Sequence, residues 1–350
     1  MNGKTDIKSL TPGELQAFVK ELGEPAFRSG QIFSWLHKGV TEYDEMTDLS
    51  INFRNKLANS AEIICPLIKK RLVSDIDDTV KYLYGFSDGE NVESVLMRYH
   101  HGNTVCISTQ AGCRMNCAFC ASSLKGLSRN LAPSEMLAQV LTTQQDSGQR
   151  ISNVVMMGIG EPLDNYENVR KFVQILSAPG GINIGQRHIS LSTCGVVDRI
   201  YELSREKFQI TLSVSLHAPN DKIRSRIMPI NAKWGVDELL RACRDYIGVT
   251  GRRISFEYAL MDGVNDTPDC ARELIAKLRG MLCHVNLIPA NAVKERGVKK
   301  SGEQAVRRFY DILSAGGLTV TVRRTLGSDI NASCGQLRFN HAAGQGGILE

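Results

Sequence analysis

Apolar residues near the start of the chain recur at helical spacing. Leu15, Phe18, Val19 and Leu22 form one stripe, the mark of an amphipathic helix. Thr11-Pro12-Gly13-Glu14 precedes it as a capping box with proline at the first helical position, and Gly23 follows as a stop. Ile32, Trp35 and Leu36 repeat the stripe before Gly39, and a third helix is expected from Ser50 through Leu57. Helices this short need neighbours to pack on. Residues 1–75 read as a small helical accessory domain.

Past residue 75 the period changes. Segments 80–86 and 94–99 predict strands that turn at Ser87-Asp88-Gly89; residues 76–100 read as a strand linker. Apolar strand-like runs then alternate with helical ones. The strands are expected at 104–108, 153–158, 188–193, 210–217, 253–260, 284–289 and 318–324, and helices at, for example, 133–145, 166–176, 237–246 and 268–278. Such alternation implies a parallel sheet with helical crossovers. Roughly six units favour a full or partial barrel over a bundle, with a doubly wound sheet as the alternative. The α/β domain is placed at residues 101–325, and residues 326–350 form a polar C-terminal segment whose extreme end is expected to be loose.

Composition narrows the classes. The chain has 350 residues, 42% hydrophobic and 23% charged, which is ordinary globular usage. No apolar run approaches the roughly 18 residues of a membrane span, and Lys4, Asp6 and Lys8 interrupt the start where a signal peptide needs an apolar core. A soluble protein that stays where it is made is expected. A net charge of +5 permits an RNA partner without establishing one. Ten cysteines, unevenly clustered, point to metal binding or catalysis rather than disulfides.

Cys113-Arg-Met-Asn-Cys117-Ala-Phe-Cys120 is the strongest chemical signal: three thiols within eight residues can wrap one metal centre. Thiolates select zinc, copper(I) or iron–sulfur clusters. Structural zinc takes four closed ligands, and no second cysteine or histidine pair stands ready to complete such a site. Three ligands to a four-iron cluster leave one iron open. The loop also follows the first barrel-like strand, at the end where barrel active sites lie. Other strand ends carry small polar groups: Met157-Gly158-Ile159-Gly160-Glu161-Pro162, Ser192, Ser215-Leu216-His217 and Asn291. Each alone is explained by an ordinary turn or a satisfied polar residue; together, beside the cysteine loop, they argue for a ligand site. Cys65, Cys194, Cys243, Cys270 and Cys283 read as core filler. Read on pattern alone, Glu93 is a solvated strand charge.

The cysteine spacing, with Phe119 before the last thiol, resembles the radical S-adenosylmethionine (SAM) superfamily. That resemblance implies a partial (β/α)6 barrel and a [4Fe-4S] cluster on Cys113, Cys117 and Cys120 whose open iron binds SAM. A closer resemblance covers nearly the whole chain. The segments beginning at Cys106, Gly158, Leu191, Ser215, Met228 and Cys334 resemble the RlmN/Cfr family of RNA methyltransferases. It implies methylation of adenine C2 in the peptidyl-transferase region of 23S rRNA and in the adenine 3′ to the anticodon of some tRNAs, through a methylated Cys334. Gly160, Glu161, Ser192, Ser215, Leu216, His217 and Asn291 would line the SAM site; Glu93 would move a proton; Cys106 would pair transiently with Cys334 in a disulfide. The fold expected is this barrel with the N-terminal helical domain and a C-terminal catalytic loop.

The resemblance also implies a cytoplasmic setting, a flavodoxin-like electron donor and a thiol reductant, and neither a DNA nor a membrane partner. The C8-methylating Cfr branch usually lacks the proline found here at Pro162, so C2 is favoured. Lys69-Lys70-Arg71, Arg252-Arg253, Lys294 with Arg296, Lys299-Lys300 and Arg323-Arg324 are candidate phosphate contacts, although such runs are usually solvated surface. The rivals are a radical-SAM enzyme with another substrate and a non-catalytic zinc or electron-transfer protein. Iron and sulfide analysis and a SAM-cleavage assay separate them.

Overall fold

The computed structural model describes residues 3–100, 102–291, 293–333 and 335–337. Cys334 and residues 338–350, on which the expectation of a loose end falls, lie outside the described residues, as does the side chain of Lys294.

The capping box forms as its residues require. Thr11 Oγ1 accepts from Glu14 N–H and Glu14 Oε2 accepts from Thr11 N–H, opening helix Pro12–Glu21. Helix Arg28–Lys38 ends at Gly39, whose φ of 87° suits glycine. Helix Ile51–Ser60 begins at Ser50, which accepts from Phe53 N–H. Their apolar stripes, including Leu15, Ile32, Phe33, Phe53 and Leu57, are buried in the same core as the barrel. A short parallel pairing of Thr5–Asp6 with Ala61–Glu62 closes this unit.

Ten strands, numbered in chain order, make the main sheet: β1 (Leu67–Val73), β2 (Val80–Gly85), β3 (Asn91–Tyr99), β4 (Gly102–Cys106), β5 (Ile151–Met156), β6 (Ile189–Thr193), β7 (Thr211–Ser215), β8 (Ile254–Leu260), β9 (Cys283–Pro289) and β10 (Val320–Val322). Each pairs with the next in sequence. The pairs from β1 to β4 are antiparallel and those from β4 to β10 parallel. Helices Pro133–Ser147, Tyr166–Leu176, Val197–Arg205, Asp221–Ile227 with Val236–Thr250, Pro268–Leu278 and Glu303–Ala315 fill the six parallel crossovers. This is the partial barrel of six strand–helix units expected from the alternation.

One expectation needs correction. The helical texture does not run to residue 75: the last N-terminal helix stops at Ser60, and β1 is an edge strand. Leu67, Ile68 and Val73 are exposed there. An edge strand exposed on both faces needs no alternating pattern, and Lys69-Lys70-Arg71 hid it. Lysines on such an edge discourage pairing with a second sheet.

The faces of the parallel strands differ sharply. Ile189, Leu191, Leu212, Val214, Ile254 and Phe256 are buried under the helices. The opposite face presents Ser190, Thr211, Ser213, Ser255, Glu257, His284 and Asn286 to a hollow of about 1010 Å³ open to solvent. A closed eight-stranded barrel fills its interior with bulky branched side chains; this interior is polar. Ser255 Oγ donates to Glu257 Oε1 (3.0 Å) and Asn286 Nδ2 to Glu257 Oε2 (2.7 Å).

Candidate active site

The loop after β4 carries the three cysteines, and main-chain contacts hold it. Cys113 N–H donates to Gly126 O (2.9 Å) within the short hairpin Gln110–Gly112/Leu127–Asn130. Ala118 N–H donates to Ile227 O at the end of helix Asp221–Ile227 (2.8 Å). Arg296 adds a side-chain clamp, with Nε on Cys120 O (3.1 Å) and Nη2 on Asn116 Oδ1 (3.2 Å) and Ser123 Oγ (2.8 Å). Arg114 pairs with Asp164.

All three cysteines line one cavity, which has about 1000 Å³ of space open to solvent. Among the described residues, no three His, Cys, Asp or Glu side chains close tightly on a single ion's position; the thiols stand along one wall. Burial pushes the Cys113 thiol up to about 12 and raises that of Cys117 further, the neighbouring thiols adding to the effect. Thiolates at this place need a cationic centre bound to them. The donor set therefore fits a thiophilic iron–sulfur cluster.

The facing wall is made of strand ends. Gly158 and Gly160 admit the backbone: a Cβ on Gly158 would stand 2.6 Å from Ile107 O, and one on Gly160, whose φ is 106°, 2.8 Å from Gln110 N. The next residue, Glu161, is buried. Its carboxylate accepts from Cys194 N–H (2.7 Å) and Leu163 N–H (3.0 Å). Burial still raises its pKa above the ordinary carboxylate value. His217 takes a φ of 56° and its Nδ1 accepts from Ala259 N–H (2.9 Å), which leaves the proton of a neutral ring on Nε2. Burial, reinforced by Arg224, holds its pKa down to about 3. Phe119 of the cysteine loop meets this ring edge-on at 4.8 Å.

Of the residues singled out from sequence, Gly160, Glu161, Ser192, Ser215, His217 and Asn291 all line the cavity with the three cysteines. Leu216 stands behind the wall: its side chain is fully buried, its N–H donates to Glu257 O and its carbonyl accepts from Arg224. Cys194 is a lining residue rather than filler, and Cys65 is exposed; Cys243, Cys270 and Cys283 are buried as expected. Glu93 is not a solvated charge. It is 7% exposed on β3 and pairs with Lys81 (3.1 Å), because both residues point beneath the C-terminal segment, where Lys81 Nζ also donates to Asn331 O (3.2 Å).

That segment folds back over the cysteine loop. Ala121 N–H donates to Gly335 O (2.8 Å) and Ser122 Oγ to Leu337 O (3.0 Å). Cys106, at the end of β4, borders a second cavity with Ser333 and Leu337. No two of the nine described cysteines are joined in a disulfide; the expected partner of Cys106, Cys334, lies outside the described residues.

Sequence reasoning missed the buried polar residues that hold the wall. Asn265 donates to His217 O (2.7 Å) and Ala259 O (2.6 Å) and accepts from Met261 N–H (2.8 Å). Gln139 exchanges two bonds of 2.9 Å with the Ser108 backbone. Arg224 has no exposed surface. The only trace of Arg224 in sequence is a charge between Ile223 and Ile227 on a short helix, which reads equally well as solvated.

A cluster-fitting loop at the mouth of a partial six-unit barrel defines a radical-SAM protein. The sequence profile of the radical SAM superfamily matches residues 107–275, and that of the ribosomal RNA large subunit methyltransferase N-terminal domain matches residues 5–63. A crystal structure described as a radical SAM methyltransferase from Sphaerobacter thermophilus superposes with a TM-score of 0.90 at 44% identity, covering 95% of this chain and 99% of that one. Two curated relatives, from Lachnoclostridium phytofermentans and Alkaliphilus oremlandii, are each named "Probable dual-specificity RNA methyltransferase RlmN". They are 54% and 53% identical, over 97% of this chain and 95% and 98% of theirs. The chain belongs to the RlmN family.

Proposed function

We propose that this chain methylates C2 of an adenine in the peptidyl-transferase region of 23S rRNA and of the adenine 3′ to the anticodon in some tRNAs. The observation that carries the reading is one cavity bounded by the three cysteines and by the polar ends of β5, β6, β7 and β9, with the neighbours of Cys334 laid across the loop. Cys113, Cys117 and Cys120 would hold a [4Fe-4S] cluster. When bound, the cluster supplies the electron that cleaves SAM to methionine and a 5′-deoxyadenosyl radical. Gly160, Glu161, Ser192, Ser215, His217 and Asn291 bind and orient SAM; the backbone at Leu216 holds the wall.

C2 of adenine lies between two ring nitrogens and is electron-poor, so it does not attack a methyl group as an amine does. The Cys334 thiolate instead takes a methyl from one SAM by displacement. Hydrogen abstraction from that methyl gives a carbon radical, which adds to C2. The adduct then loses its C2 proton, to Glu93, and one electron, for which the cluster left oxidised by SAM cleavage would be the acceptor. Cys106 attacks the Cys334 sulfur; the sulfur–carbon bond breaks as the disulfide forms, and its electron pair stays on the new methyl carbon, which takes a proton. A thiol reductant restores both cysteines, and a flavodoxin-like protein supplies electrons to the cluster.

We assign residues 1–75 to RNA contact, 76–100 to linking strands, 101–325 to the barrel and 326–350 to the segment that delivers Cys334. No helix among the described residues is long and apolar enough to cross a membrane; the proposed site of action is the cytoplasm, with RNA and neither DNA nor membrane as partner. The alternatives are C8 methylation, as in the Cfr branch, or another radical-SAM substrate. RNA from cells lacking the chain should lose 2-methyladenosine and regain it on complementation. Appearance of 8-methyladenosine instead would move the chain to the C8 branch, and no change in either nucleoside would sink the RNA reading.

A further inference from the structure

Arg224 is the largest fully buried side chain described. Its guanidinium makes four hydrogen bonds: Nε to Leu216 O (3.1 Å), Nη1 to Asn231 Oδ1 (3.1 Å), and Nη2 to Cys194 O (2.6 Å) and Ser215 O (3.2 Å). Three acceptors are main-chain carbonyls at or just beyond the ends of β6 and β7. One fork thus fixes the spacing of two neighbouring strand ends that line the site.

The hydrogen bonds are satisfied but the charge is not. Among the described residues, no carboxylate forms an ion pair with Arg224, and Asp221 is reached only through Asn231, whose Nδ2 donates to Asp221 Oδ1 (3.0 Å). A buried cation without a counter-charge is strongly unfavourable. The helix that carries Arg224 also holds the cysteine loop, through Ala118 N–H on Ile227 O (2.8 Å). Arg224 Nη2 bonds the carbonyl of Cys194, which lines the cavity together with the three cysteines. As thiols the cysteines bring no charge. Bound to iron, Cys113, Cys117 and Cys120 would be thiolates, and three thiolates outweigh the positive charge of the cluster core and leave a net anion.

We propose that Arg224 is the buried counter-cation of the iron–sulfur centre: it positions the ends of β6 and β7 and raises the reduction potential of the cluster. This rests on the reading that Cys113, Cys117 and Cys120 hold a cluster. Net charge near a cluster is one of the protein's means of setting its potential. A positive charge favours the reduced, more negative state, so its removal makes reduction harder. The charge also belongs to the loaded protein rather than to the empty one, which carries the cation without its partner.

The test compares wild type with Arg224→Gln, Arg224→Met and Arg224→Lys, purified and reconstituted without oxygen. Iron content, the midpoint potential from redox titration followed by electron paramagnetic resonance, and thermal unfolding of empty and loaded protein are measured. The neutral variants should show a more negative potential, and Arg224→Lys should restore most of it. The stability lost on going to Gln should be larger in loaded than in empty protein. A wild-type potential in a cluster-containing neutral variant overturns the proposal, as does equal stability loss in both forms. Failure of all three variants to fold without iron also overturns it, because the cation would then serve the fold alone. A wild-type chain that takes up no iron would instead sink the cluster reading itself.

Discussion

The two walls of the cavity each hold an arginine, and the arginines differ. Arg296 is half-buried and clamps the cysteine loop by a carbonyl, an amide and a hydroxyl. Arg224 is sealed and ties strand ends that belong to the core. The loop wall is attached to the fold at a few backbone points, so its chemistry can be removed while the barrel stays. The strand wall is continuous with the sheet, so its chemistry and its stability are the same bonds. This difference decides what each substitution should do.

The largest effect belongs to the loop wall. Changing Cys113, Cys117 or Cys120 to Ala should abolish iron binding and SAM cleavage. The fold should survive, because the main core lies behind the strands and the cysteine loop is held to it by backbone contacts. Iron analysis with circular dichroism checks both halves. Retained iron in all three variants would break the assignment, and loss of the fold in each would erase the contrast between the walls.

Next is Cys106, proposed above to close the reaction rather than to open it. Cys106→Ala should still methylate Cys334 and attack RNA, then stall as a protein–RNA adduct visible on a denaturing gel. Cys334→Ala should form no adduct, and the double variant should match it. If Cys106 only packs at the end of β4, the change costs about 1 kcal/mol and turnover continues. Multiple turnover without retained RNA would remove the resolving role.

The contrast also explains what could be read in advance. The cysteine loop was legible because its three thiols lie within eight residues, at a spacing that suits one metal centre. The alternation of strands and helices was legible because one face of each parallel strand is buried under helices, which places apolar residues such as Leu212 and Val214 or Ile254 and Phe256 at alternate positions. β1 was not, because an edge strand exposed on both faces carries no pattern. Glu257, Asn265 and Arg224 were not, because a buried polar residue looks like a surface one until its partners are known. Those partners are often distant: Asn265 reaches a residue 48 positions away.

His217 sharpens the strand wall through pH. Its ring is held down to about 3 by burial, against 6.5 in an unfolded chain. As pH falls from 6.5 towards 3, the unfolded chain takes up the proton first, so stability is full above that window and is lost across it. His37, held down to about 4 by burial and by Lys8, acts in the same direction. In His217→Asn the side-chain oxygen can still accept from Ala259 N–H, and asparagine tolerates a positive φ, but nothing titrates. Urea midpoints of the variant should fall less steeply than wild type between pH 6.5 and 4. Parallel curves would mean that His217 is open to protons in the folded chain.

The smallest expected effect is at Arg296, and it bears most directly on the contrast. Arg296→Met keeps the aliphatic stem and removes three hydrogen bonds to the cysteine loop. Because the site is half-exposed, water can replace the guanidinium at Cys120 O and Ser123 Oγ. Global stability should therefore change by no more than about 1 kcal/mol. The loop is a different matter, since its opening is local and draws only on the contacts that hold it. Losing about 1 kcal/mol of those contacts raises the population of the open loop roughly fivefold. Loaded protein exposed to a chelator should then lose iron roughly fivefold faster, at an unchanged unfolding midpoint. An unchanged rate would mean that the loop's other contacts, at Cys113, Arg114, Ala118, Ala121 and Ser122, hold it without Arg296. A large fall in the midpoint would mean that this wall, like the other, is part of the core.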